Sequence, residues 1–128
     1  QLCQTLPSEL PVVFTNGFFD NISAGHLKFL NQLKSLNGFN VVGINSDKSI
    51  VEQKGVLPLL NERERALLLS AIEAVDRVVI FNELDASSMI RLIRPQIVVK
   101  GKSFLNKQMP EEKAIEETGA KLEFFTEH

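Results

Sequence analysis

The chain has 128 residues, 44% of them hydrophobic and 23% charged, with a formal net charge of -2. Those values suit a single globular domain (residues 1–128) with a modest core, and they exclude a disordered chain and any broad electrostatic affinity for nucleic acid or acidic membranes. The lone cysteine, Cys3, gives neither a disulfide framework nor a metal site within one chain, no apolar run is long enough for a bilayer, and no basic segment precedes an apolar one as in a secretory signal. The expectation is a soluble, cytoplasmic protein.

In chain order, residues 1–10 carry little signal and read as a short helix or an arm. Pro11-Val12-Val13-Phe14 reads as a buried strand over 11–15. Leu27, Leu30, Leu33 and Leu36 recur at spacings of three, as on the inner face of a helix over 24–36, and Asn37-Gly38 stops it. Between strand and helix lies Thr15-Asn16-Gly17-Phe18-Phe19-Asp20-Asn21-Ile22-Ser23-Ala24-Gly25-His26. Gly17 and Gly25 mark places where backbone bends or comes close to something. The helix start aims free N–H groups and a partial positive charge into this turn, which suits phosphate.

A second strand over 39–45 ends in Asn45-Ser46-Asp47, at the sheet edge where parallel sheets bind ligands. Residues 46–60 read as the longest irregular span. Asn61 caps a helix to about residue 74, with Glu62 and Glu64 in its first turn, Arg65 near its start, and Leu67, Leu68, Ala71 and Ile72 inward. A third strand covers 77–81. Asp85 caps a helix that carries Met89, Ile90 and Ile93 and stops before Pro95. A fourth strand over 96–99 runs into Lys100-Gly101-Lys102. Pro110 opens a short helix that Gly119 ends, and 121–125 is the last strand. Five short Val/Ile-rich strands alternating with helical segments predict a Rossmann-like α/β fold, a five-stranded parallel sheet in a three-layer sandwich with right-handed crossovers. The G-x-G-x-x-G fingerprint is absent, so the fold alone does not argue for NAD.

The central turn resembles the G-x-F-D-x-x-H-x-G-H signature of the cytidylyltransferase-like, HIGH-motif nucleotidyltransferases, with Gly17, Phe19, Asp20, Gly25 and His26 in register. The Thr15-Asn16-Gly17 lead-in is most similar to adenylyltransferase domains that make ADP-heptose. Asn45-Ser46-Asp47, Lys54-Gly55, Arg65, Glu73-Ala74-Val75-Asp76 with Val78-Val79, and Val99-Lys100-Gly101 match the same group, so the resemblance covers about residues 12–125. There are four departures. Ser23 stands for the first histidine of the signature, Leu57 for a loop arginine, and Ser103-Phe104 for an aspartate-tyrosine pair. Thr126-Glu127-His128 stands where the family runs into a serine/threonine-rich helix start.

The resemblance implies a HUP-type fold and transfer of a nucleoside monophosphate, most readily AMP from ATP, to a sugar phosphate such as heptose 1-phosphate with release of pyrophosphate. It implies catalytic roles for His26, Ser23 and Lys100. It implies nucleotide contacts from Thr15, Asn16, Gly17, Phe18, Phe19, Gly25, His26, Arg65, Lys100 and Gly101. It gives the acceptor substrate to Asp20, Asn45, Asp47 and Lys54. Mg2+ comes with the triphosphate; Asp20 is a candidate ligand for it, or else orders the turn. Ser23 is either a working donor or a capping serine, and Lys54 either a phosphate cation or a solvated charge. Two alternatives stay open: a cytidylyltransferase using CTP and glycerol phosphate or another phospho-alcohol, and an impaired nucleotide-binding protein. The expected partners are ATP or CTP and a phosphorylated small molecule, with a homodimer possible and no nucleic acid or membrane.

Overall fold

The computed structural model describes residues 9–127, so the helix or arm expected over the first residues lies largely outside the described region. β1 (Val12–Gly17) leads into α1 (Ala24–Asn31), which tightens into a 3-10 turn (Gln32–Leu36) before β2 (Phe39–Asn45). α2 (Asp47–Lys54) and α3 (Glu62–Ser70) precede β3 (Arg77–Phe81), and α4 (Ser87–Ile93) precedes β4 (Ile97–Gly101). A second 3-10 turn (Lys102–Phe104) and α5 (Glu112–Thr118) lead to β5 (Lys121–Phe125).

All five strands are parallel, in the order β3-β2-β1-β4-β5, so the chain reverses its direction of travel across the sheet at β1. β1 pairs with β2 along its whole length, Val12↔Phe39 to Gly17↔Ile44. Against β4 it pairs only at Val13↔Ile97 and Phe14↔Val98. Past that point a side chain takes over: Thr15 Oγ1 donates to the Val99 carbonyl at 2.8 Å. The strands part at the position where a reversal of strand order opens a crevice.

Alternate residues of each strand feed opposite faces, as the two-residue period of a strand requires. Phe14, Val41 and Val98 pack with Ile90 and Ile93 of α4 and Ala114 and Ile115 of α5. Val13, Val42, Ile44 and Val99 pack with Phe29, Leu30, Leu33 and Leu69 on the other face. The result is the expected three-layer sandwich, with strands apolar on both sides. Gly43 is small for a reason: a Cβ there would lie 2.7 Å from Phe14 Cζ and 3.3 Å from Phe81 Cε1.

Local details depart from the sequence reading. Residues 47–54 are helical rather than irregular, because Ser46 Oγ accepts the Ser49 N–H at 3.1 Å and Gly55 ends the turn at φ 78. α3 buries Arg65 and Leu69, while Leu67 and Leu68 are exposed. Leu27 is also exposed, and the inner face of α1 is Phe29 and Leu30. Asp85 accepts the Ser87 N–H at 2.8 Å, one residue before the formal cap Ala86. Gly119 closes α5 at φ 74, as its composition suggests.

Candidate nucleotide-binding site

The crevice between β1 and β4 holds a cavity of about 480 Å3 at the C-terminal edge of the sheet. Its floor is the end of β1 and the following turn, Thr15 to Phe19. The start of α1 supplies Ser23, Gly25 and His26; β2 supplies Asn45; β4 supplies Lys100 and Gly101.

α1 begins with a reciprocal cap. Ser23 Oγ accepts the His26 N–H at 3.4 Å, and His26 Nδ1 accepts the Ser23 N–H at 3.0 Å. The turn before it is shaped by Phe19, which has a positive φ of 49. Its ring lies under Gly17, where a Cβ would come within 3.0 Å of Cε2, and its centroid is 5.2 Å from that of His26. Phe19 is thus both core and cavity floor. No acidic side chain lies in the first turn of α1, and the Glu127 carbonyl comes close to Gly25, where a Cβ would meet it at 3.0 Å. α3, by contrast, carries Glu62 and Glu64 in its own first turn.

Lys100 is buried on the β4 wall. Its Nζ donates to Asn16 Oδ1 at 2.7 Å and to Glu111 Oε1 at 3.1 Å. Asn45 donates through Nδ2 to Ser49 Oγ at 2.9 Å and to the Leu84 carbonyl at 3.3 Å.

Four of the residues singled out from the sequence do not line the cavity: Asp20, Asp47, Lys54 and Arg65. Arg65 is wholly buried and spent on protein groups. It donates to the carbonyls of Leu60, Phe18 and Asn45 at 3.0, 2.9 and 2.7 Å and to Asp47 Oδ1 at 2.8 Å. Its planar fork fits several oxygens at once, and here it ties the β1 and β2 ends to α3. Asp20 Oδ1 accepts the Leu59 N–H at 2.6 Å and so ties this turn to the loop before α3. Lys54 lies with its Nζ 4.8 Å from the centre of the Phe18 ring.

The cavity also has walls that the sequence reading missed: Phe29, Gln53, Leu84, Asp85, Phe104, Pro110, Glu111 and Glu127. The Phe104 ring centre lies 5.9 Å from Lys100 Nζ. Glu127 is held by the Ser103 N–H at 2.9 Å and the Ser103 hydroxyl at 3.0 Å. Its carboxylate passes so close to Gly101 that a Cβ there would meet it at 2.1 Å. Among the described residues no group of three His, Cys, Asp or Glu could hold a metal, and no helix is long and apolar enough to cross a membrane.

Residues 14–127 match the family described as cytidylyltransferase-like. The chain belongs to that family. Among curated relatives, the bifunctional protein HldE of Helicobacter pylori (strain J99) is 40% identical over 120 residues, 92% of this chain and 26% of that protein. The bifunctional protein HldE of Geotalea uraniireducens is 39% identical over 116 residues, 90% of this chain and 24% of that protein. The chain therefore spans about a quarter of the length of these relatives. A solved lipopolysaccharide core biosynthesis protein from Thermoplasma volcanium shares the fold, with a TM-score of 0.75, 24% identity, and coverage of 93% of this chain and 98% of that one.

Proposed function

We propose that this cytidylyltransferase-like domain transfers AMP from ATP to a phosphorylated sugar, such as heptose 1-phosphate, and releases pyrophosphate. The observation that carries this reading is the cap between Ser23 and His26 at the mouth of the cavity. Because Nδ1 accepts a backbone N–H, the proton of the neutral ring sits on Nε2, and that N–H remains as a donor for a phosphoryl oxygen. The relatives named HldE, at 39–40% identity, support the choice of a sugar phosphate.

In this reading the acceptor's phosphate oxygen forms a bond to the α-phosphorus of the triphosphate. The bond from that phosphorus to the bridging oxygen breaks, and pyrophosphate leaves. The acceptor brings its own oxyanion, so no protein nucleophile is required. The domain aligns two anions and stabilises charge on the phosphoryl oxygens. His26 and the free N–H groups of α1 serve the phosphates. Thr15, Asn16, Gly17, Phe18, Gly101 and Lys100 hold the nucleotide, and Asn45 reads acceptor hydroxyls. Mg2+ would neutralise charge on the triphosphate and would arrive with it; Asp20, committed to Leu59, is not assigned to it.

The test is calorimetry of ATP against CTP with magnesium, then pyrophosphate release with ATP and sugar phosphates. ATP binding and release support the reading; preference for CTP reverses the choice of nucleotide; binding of neither sinks it. A second reading, an impaired nucleotide binder, is favoured by Ser23 alone, whose hydroxyl is committed to capping α1 and carries no charge. A large gain in turnover on Ser23→His supports impairment of an otherwise intact site.

A further inference from the structure

Lys100 and Glu111 form an ion pair in the cavity wall, with side chains only 6% exposed on each partner. The pair is fixed at both ends. Lys100 Nζ also donates to Asn16 Oδ1 at 2.7 Å, across the gap where β1 and β4 part. Glu111 Oε2 accepts the Ala86 N–H at 3.0 Å, at the start of α4. An ammonium has three N–H groups. Two are committed to oxygens of this chain; the third is on the cavity side of the pair's wall, where the Phe104 ring centre lies 5.9 Å from Nζ.

We propose that Glu111 is the positioning residue for Lys100. It holds the ammonium in one place and offsets its charge, so Lys100 meets the ligand as a single directed donor rather than as a free cation. This rests on the reading of the cavity as a nucleotide site. The electrostatics favour it. Coulomb energy falls only as the inverse of distance, so a carboxylate 3.1 Å from the ammonium, in the same cavity wall, cancels much of its pull on an incoming phosphate. What survives is direction. A strong uniform grip on the ground state adds nothing to the chemical step, whereas a donor fixed where charge develops does.

The test compares wild type with Glu111→Gln, which keeps the size and an acceptor for the Ala86 N–H but drops the charge. The expected result is a split: binding of ATP with magnesium holds or tightens, while kcat per folded molecule falls about tenfold or more, the worth of one misdirected charge-assisted hydrogen bond. A merely structural role lowers the melting temperature and the folded fraction but leaves kcat per folded molecule unchanged, and that outcome overturns the proposal. So does weaker ATP binding with kcat intact. If Glu111→Gln does not fold, Glu111→Asp, too short to reach both partners, takes its place.

A second measurement does not depend on the nucleotide. In wild type labelled with nitrogen-15 lysine, the Lys100 ammonium should give a distinct, slowly exchanging signal, assigned by its loss in Lys100→Met. It should merge with the other lysines in the Glu111 variant. A Lys100 signal indistinct in wild type, or unmoved in the variant, overturns the positioning role. Wild type that binds no nucleotide overturns the nucleotide reading instead, and the ammonium signal then decides the pair on its own.

Discussion

The backbone N–H of Ser23 points to Nδ1 of His26 at 3.0 Å, and the His26 N–H returns to Ser23 Oγ at 3.4 Å. Each residue completes the other's half of the helix start. The histidine ring is thereby held in orientation by the same bonds that begin α1, with Nδ1 also 3.1 Å from Ser23 Oγ.

Separating the two halves gives different losses. Ser23→Ala should cost about 1 kcal/mol of stability, the usual worth of an N-cap, read by urea denaturation. His26→Ala removes the directed donor as well, and turnover should fall on the order of 10²–10³-fold. Equal kinetic losses for both variants would mean that His26 acts only by capping.

Arg65 is a stability residue. Arg65→Met should cost about 3 kcal/mol or more, because it strands the carbonyls of Phe18, Asn45 and Leu60 and leaves Asp47 without its cation. Denaturation should show the loss directly. A change in nucleotide affinity with stability intact would instead return Arg65 to the ligand.

Gly43→Ala should destabilise by about 1–3 kcal/mol, since the new methyl must displace the Phe14 ring from 2.7 Å in a closed core. The thermal melt should drop while the fold, by circular dichroism, persists. A neutral result would show that Phe14 and Phe81 have room to move.

The hydrogen bond from Arg91 to Glu117, at 2.9 Å, holds the Glu117 carboxyl below the usual glutamate value. A folded value below the unfolded one contributes stability above the unfolded value and loses it as pH falls through the folded one. Arg91→Met should move the Glu117 titration upward in carbon-13 NMR of the carboxyl. The pair is solvent-exposed, so the shift should shrink in salt. A Glu117 titration unmoved by the substitution would remove Arg91 as its cause.

The sheet was legible because its strands are apolar on both faces: Val12 to Phe14, Val41 to Ile44 and Ile97 to Val99 leave little room for another assignment. α2 was less so. Its buried face is little more than Ser49 and Ile50, too small for a periodic signal, and its main cue is the Ser46 cap. The Leu67-Leu68-Leu69 run fits a helix in several rotations, and only packing selects Leu69. In the β1–α1 turn, Thr15 to Phe19 and Ser23, Gly25 and His26 line one cavity, whereas Asp20 turns away to the Leu59 N–H, a direction that sequence does not show. Glu111 could not: a glutamate after proline is an ordinary helix start, and its tie to Lys100 appears only when β4 and α5 are brought together. Arg65 was misplaced for the converse reason, since sequence does not tell a buried guanidinium from an exposed one.

β1 shares six register positions with β2 but two with β4, whereas the outer pairs share five each. The sheet is two leaves bound along a short spine. Opening of the molecule should begin at that spine, in the gap bridged by Thr15 and Lys100 side chains rather than by a ladder. A ligand seated there would touch both leaves and act as a clasp, so its binding energy would also be resistance to splaying, greatest where the two leaves share the fewest ladder bonds.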